Sequence, residues 1–547
     1  MKRLLIPLII LLALALLIGC GKETTTPTAP AAPAAPSAPA TTPATKPATT
    51  PATTPAPAAP AATPAPKAPS PKHGGTLKFI SYTADTAIGG WPADTGLQGS
   101  LAYEGLIQQQ ASGEFTPCLA TSWDIAPDRT SVTFHLRKGV KFTDGTDFNA
   151  QAVKFNYEAQ MANKKAPYWA SVEVLDDYTV KVNITKWRTT TLMQFGDSST
   201  SGIASPTAFQ KNGIEWMREH PVGTGAYMFS KFTRDVATEF VRNPNYWQPE
   251  KPYIDAFHNI IITDEVTQKA AMQAGEGDAT LCEIGKSTID YKNMGLTVDS
   301  AIQVVFCLVP DTANPDSPWS NIKVRMAADY AINKEAIAAG MGYGLWQAPY
   351  QIPPRGNAVW NPNFNLGRKY DLEKAKQLMA EAGYPKGFKT TIIPFPGATS
   401  RDVTLAVQDA LSKIGIIAES QFVDFGKYFQ INQEGWHNAL IFHPVPAYSI
   451  YIETINSLFD PDNSLFFKIS WERTPEFRDA LIKANAVALQ DVALTRAVTD
   501  VMSRDAMVIT VYEGGKSYAY QPYVKDPGFL TRGFANSWNT QNVWLDK

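Results

Sequence analysis

The chain is poor in cysteine and histidine, almost balanced in charge, and short of long apolar runs. Its 547 residues include 4 Cys and 6 His, too few for the disulfide frameworks that staple small secreted domains. No close pair of histidines occurs. His437 and His443, six apart in an irregular segment, have no spacing that a zinc site uses, so no metal site is expected. A formal charge of -2 leaves no basic footprint for nucleic acid, which removes that class of partner. Catalytic signatures are missing too. There is no H-E-x-x-H pattern, and the serines between Gly196 and Gly202 lack the G-x-S-x-G spacing of a nucleophile elbow. Gly285-Lys286-Ser287 has Thr280 where a phosphate-binding loop needs glycine. These absences argue against an enzyme and against a resident cofactor.

One apolar run does occur, Leu4 to Ile18 behind Lys2 and Arg3. At about fifteen residues, interrupted by Pro7, it is shorter than the roughly twenty a membrane-spanning helix needs and reads as the core of a secretory signal. Leu17-Ile18-Gly19-Cys20 resembles the bacterial lipobox. That resemblance implies cleavage after residue 19 and acylation of the Cys20 thiol, with enough acyl chains for stable anchoring. Residues 20–73 are then a lipidated cysteine followed by a tract of Pro, Ala, Thr and Ser. Such a composition cannot bury a core and stays extended and disordered. At ~3.1 Å per residue its reach is up to ~150 Å. The expected location is the extracytoplasmic face of a bacterial cell membrane, reached through this lipid anchor.

The remaining body, residues 74–547, is long enough for two or three domains. It is rich in aromatics, with 13 Trp and 21 Tyr in the chain; these serve cores first, but also suit a pocket that grips a ligand by stacking. Cys282 and Cys307 lie in strand-like segments and could pair in an oxidising compartment, while Cys118 is expected to be a buried thiol. Val132, Phe134 and Leu136 alternate with polar residues, the period of a half-buried strand. Asp144-Gly145 marks a turn, and a helix is expected from Ala150. A second helix is expected after Tyr370, capped by Asp371, with Leu372, Ala375, Leu378 and Met379 on one face and Gly383 at its end. Gly223 and Gly225 read as a tight loop with unusual dihedrals.

Several of these stretches together resemble one family. Tyr103-Glu104-Gly105-Leu106, Pro117, Leu119-Ala120, Ser122-Trp123, the run from Phe134 to Phe142 and Asp144-Gly145 are similar to the signature of family 5 bacterial extracellular solute-binding proteins. The likeness continues in order through Pro221–Phe232, Arg242–Asp255, Asn321–Ile337 and Tyr370–Phe388. It implies an α/β, two-lobed, periplasmic-binding-protein-like fold of type II, with an extra subdomain and a hinge of two strands. On that pattern lobe one is 74–305 plus 510–547, with the subdomain at about 108–210, and lobe two is 306–509. The strand-like stretches 301–309 and 506–512 are the hinge candidates. The implied function is capture of a small solute between the lobes, by a monomer, and delivery to the permease and ATPase of an ABC importer. A sensor or chaperone lipoprotein on the same fold is the alternative.

Peptide-binding members of the family carry an aspartate in lobe two that pairs with the peptide's α-ammonium. The matching region here is Trp436–Tyr451, and where that aspartate belongs the chain has Phe442-His443-Pro444-Val445-Pro446. An ammonium desolvated without a counter-charge is costly, which disfavours a free-amine oligopeptide unless another carboxylate, such as Glu453, serves. A peptide-like compound or an oligosaccharide is the expected solute. The candidate ligand residues are His443, Tyr448 and Tyr451 in this region, Tyr82 and Trp91 after the first strand, and Trp346 and Tyr350 in a lobe-two loop. Trp436 is expected in the core.

Overall fold

The structure of the protein, a computed structural model, describes residues 70–81, 96–196, 201–462, 466–530 and 539–547. Cys20, Tyr82 and Trp91 lie outside the described residues. A ten-stranded mixed sheet runs through the body. From one edge its order is Ile416–Ser420, Phe388–Pro394, Ala439–Pro446, Thr297–Pro310, Ile509–Tyr520, Ala279–Glu283, Thr76–Ser81, Ala256–Ile261, Ala237–Arg242 and Tyr227–Thr233.

Two strands in the middle are longer than the rest and belong to both halves. Thr297–Pro310 and Ile509–Tyr520 pair antiparallel along their whole length. The far half of the first pairs with Ala439–Pro446, and the far half of the second with Ala279–Glu283. The two lobes are therefore joined by a pair of strands, and the fold is the α/β, two-lobed type. The ladder between them shifts register between Ile302 and Val304, opposite Gly514-Gly515. At Gly515 an added Cβ would lie 2.0 Å from the Ala301 carbonyl oxygen, so the close approach of the strands requires glycine there.

In lobe two, helices cover both faces of the sheet. Ile322–Ala331, Lys334–Met341, Leu372–Glu381 and Arg401–Ser412 pack on one face with Phe306, Leu308, Leu440 and Phe442. Tyr451–Phe459, Pro475–Asn485 and Val492–Arg504 pack on the other with Val305, Cys307, Ile441 and Val445. Among the described residues no helix is long and apolar enough to cross a membrane. The helix expected after Tyr370 is Leu372–Glu381, and the Asp371 carboxylate accepts from the Lys374 backbone N–H at 2.9 Å. The alternating stretch is the strand Ser131–Leu136 of a separate four-stranded sheet, on which Ala150–Ala162 packs.

Two expectations are corrected. Cys282 and Cys307 are both buried free thiols; they face Ser517 and Thr510 on one strand, seven residues or roughly 23 Å apart. Gly223 and Gly225 are needed for space and not for their dihedrals. A Cβ on either would lie 2.1 Å from the Ala102 oxygen and 2.4 Å from that of Leu101, respectively. The family-like motif residues interlock as scaffold: Glu104 accepts from Thr224 Oγ1 (2.9 Å), Tyr246 Oη (2.8 Å) and Trp247 Nε1 (2.8 Å).

Candidate functional site

Where the long strands cross, the sheet register lines up Val445, Val305, Glu513 and Gln347 as a row of cross-strand partners. Directly paired residues project to one face, so Glu513 and Gln347 share the face that Tyr451 covers from its helix. Gln347 is held there because its backbone exchanges hydrogen bonds with that of Glu513, at 2.8 and 3.4 Å. Glu513 is 2% exposed. Its Oε2, the Gln347 and Gln303 Oε1 atoms and the Tyr451 hydroxyl are buried without a hydrogen-bond partner. Burial pushes the Glu513 carboxyl up to about 7, although the Arg355 backbone N–H and guanidinium oppose the rise. Burial, with the Cys307 thiol and the Glu513 carboxylate behind it, holds the Tyr451 hydroxyl well above its ordinary range. Each unmet group costs about 1–3 kcal/mol. Three of the four atoms are acceptors, and what they lack is N–H and O–H donors.

The lobe-two loop that supplies Gln347 also carries two of the sequence candidates. Trp346 stacks on Tyr512 (4.1 Å between centroids, 18°), and Tyr512 stacks on Phe306 (4.3 Å, 7°). The Trp346 indole N–H reaches across to the Ile284 carbonyl of lobe one at 2.7 Å. Tyr350 lines an open pocket of about 500 Å³ with Glu335, Arg355 and Lys369, and its hydroxyl bonds Glu335.

The remaining candidates sit differently. His443 is 3% exposed, its Nδ1 is 2.7 Å from Tyr428 Oη, and the rings of Phe395, Phe466 and Phe467 surround it at 5.0–5.2 Å. Burial lowers its pKa to about 3, so the ring is neutral. His443 is thus a core side chain in this structure, and Tyr451 is equally buried but turns its unpartnered hydroxyl toward Glu513 in the hinge row. Strand Ala439–Pro446 is sandwiched between helical layers, so alternation gives it no wet face. Tyr448 is half-buried; its carbonyl accepts from Asn357 Nδ2 at 3.1 Å. Trp436 packs in the core. Glu453, the alternative carboxylate, is engaged with Thr190 and Arg188. The sequence reading missed Gln303, Gln347 and Glu513. The visible signal was a lone acid before Gly514-Gly515, within an otherwise apolar strand.

The subdomain meets lobe two along a second line. Gln109 Nε2 donates to Ser449 Oγ at 2.8 Å, and Phe115 packs on the cores of both parts. Trp187 Nε1 donates to the Val487 carbonyl (3.2 Å), and the Thr189 hydroxyl contacts those of Ala484 (2.8 Å) and Val487 (3.0 Å). Arg188 and Asp460 form an ion pair whose side chains are 7% and 3% exposed. Contacts therefore join residues 109–189 to residues 449–487, and Trp346 to Ile284, beyond the two hinge strands.

The sequence profile described as bacterial extracellular solute-binding proteins, family 5 Middle, matches residues 114–466. The chain belongs to this family. As a family 5 solute-binding protein it has relatives with different stated ligands. Heme-binding protein A of Haemophilus influenzae is 30% identical over 409 residues, 66% of this chain and 73% of that protein. The glutathione-binding protein GsiB of Shigella flexneri is 31% identical over 336 residues, 59% of this chain and 64% of the relative, just under two thirds of its length. Among solved structures, the ABC transporter-associated periplasmic binding protein DppA from Helicobacter pylori, in complex with the peptide STSA, matches with a TM-score of 0.71. It is 26% identical and the match covers 87% of this chain and 99% of that one.

Proposed function

We propose that this family 5 protein captures a small solute rich in N–H or O–H donors, a peptide-like compound or an oligosaccharide, at the hinge row. It delivers that solute to the permease and ATPase of an ABC importer. The observation that carries the reading is that three buried, unpartnered oxygens, Glu513 Oε2, Gln347 Oε1 and the Tyr451 hydroxyl, meet at one face of the sheet where the lobes join, with the unpartnered Gln303 Oε1 on the adjoining hinge strand. A receptor that closes on its ligand keeps its specificity groups there. Trp346 and Tyr350 flank the same row on the lobe-two side, and Tyr82 and Trp91 follow the first lobe-one strand in sequence. The lobes are assigned as 74–305 with 510–547, and 306–509; what supports the division is the order of strands on either side of the crossing pair. The protein is a monomer tethered through acylated Cys20 and its linker, and it turns nothing over.

Thermal-shift screening of the full chain against free and N-acetylated peptides, glutathione, oligosaccharides, heme and metal chelates tests this. A ligand at a hundredfold its dissociation constant adds ~2.7 kcal/mol. Peptides or oligosaccharides that raise Tm support the proposal. A shift from heme or chelates alone, or any chemical change in a bound probe, overturns it.

A further inference from the structure

The contact between residues 186–190 and lobe two contains a small charge cluster, buried at Arg188 and Asp460 and half-buried at Glu453, that solute recognition at the hinge does not use. Arg188 pairs with Asp460 and also donates to Tyr168 Oη at 3.3 Å. Glu453, from the first turn of Tyr451–Phe459, sits beside this pair and accepts from Thr190. One guanidinium therefore faces two carboxylates. Lys186 and Asp462, 3.0 Å apart, form an exposed ion pair at the rim. The partners on one side belong to the subdomain and those on the other to lobe two, so the cluster exists only when the two meet.

We propose that this cluster is a proton-dependent latch: Glu453 takes up a proton as the lobes close, so that acid medium tightens the receptor and alkaline medium loosens it. The inference rests on the interlobe reading of the solute site, whose retention it would regulate. Its electrostatics follow from the neighbours. Burial raises the Glu453 carboxyl to about 7; the Thr190 hydroxyl and Arg188 oppose that rise, and Asp460 adds to it. In an open receptor the same group meets water and titrates in the ordinary glutamate range of about 4.3. Closure is then fully favoured below that range, loses strength as pH rises toward about 7, and levels off above it. Within this window the closing equilibrium falls by up to about tenfold per pH unit.

The test is the distance between nitroxides at Leu175→Cys and Ile482→Cys, which replace exposed residues of the subdomain and lobe two, measured by electron–electron resonance on the full chain without solute. Glu513 is buried at the hinge and titrates in the same window, so Glu453→Gln is the deciding variant. The closed population should be at least tenfold larger, relative to open, at pH 5.5 than at pH 8 in the parent, and Glu453→Gln should lose most of that response. Thr189→Val, which removes the hydroxyl shared by Ala484 and Val487 without leaving a buried charge, should lower the closed population at both values and keep the pH response. A parent distribution that does not change with pH, or a Glu453→Gln distribution that changes as the parent's does, overturns the latch. Because no solute is present, such a result leaves the thermal-shift test of solute capture untouched, and a failed solute screen leaves this one standing.

Discussion

Glu513 is the residue at which stability and recognition meet. Its carboxyl is forced up to about 7 by burial, so folding is least penalised while the group is neutral. A raised carboxyl pKa means that the folded state binds the proton more tightly. The stability tied to that proton is complete below the ordinary glutamate range and is lost as pH climbs to about 7. Over that span the loss is on the order of 3 kcal/mol. Glu513→Gln has no charge to bury, so its stability should equal the parent's near pH 4 and exceed it at pH 8 in urea unfolding. The same variant should bind the captured solute more weakly, because an amide replaces a carboxylate acceptor at the hinge. Arg188 makes the complementary case. Arg188→Ala leaves Asp460 buried and unpaired, and breaking such a pair costs about 3–5 kcal/mol. Part of that loss should appear as lobe separation, read as a larger radius of gyration in solution scattering.

At the scale of elements, the crossing strands make two adjacent glycines unequal. A Cβ at Gly515 would sit 2.0 Å from the Ala301 oxygen, whereas at Gly514 the nearest atoms are ring carbons of Phe306 and Tyr512 at 3.5 Å. Gly515→Ala must spread the hinge strands and should lower Tm by several degrees, while Gly514→Ala should be close to neutral. Equal effects from the two substitutions would show that the crossing is not tightly packed. Helix entry follows more local rules. Asp264, Asp371, Asp424 and Asp491 each cap a helix by accepting a backbone N–H three residues on. Asp371→Ala should therefore cost about 0.5–2 kcal/mol in equilibrium unfolding. Caps and alternating strands were legible in the chain because each involves neighbours within a few residues.

For the whole molecule, a two-lobed receptor should become more compact when it binds. Solution scattering with and without saturating solute should show a smaller radius of gyration in the bound form, and Gly515→Ala should blunt the change. Anchoring is a separate property of the chain. If Cys20 carries the lipid, Cys20→Ser should move the protein from the membrane to the soluble fraction without altering solute affinity, as fractionation and calorimetry would show.

The sequence by itself determined the alternating strand at Ser131–Leu136, the capped helix after Asp371 and the membership of a two-lobed family. Each of those rests on local periodicity, caps or ordered motifs. It did not reveal the hinge row. Gln303, Gln347, Tyr451 and Glu513 are spread over more than two hundred residues, and only the pairing of the long strands with each other and with the loop at Gln347 brings Glu513 and Gln347 to one face, beneath Tyr451 and beside the Gln303 strand. It also drew attention to His443, which the structure buries between helical layers, because a ring beside prolines looks like a pocket wall until the layers on both sides are known. Tertiary structure decided these points because burial and register depend on which distant strand lies alongside, and no short stretch of chain carries that information.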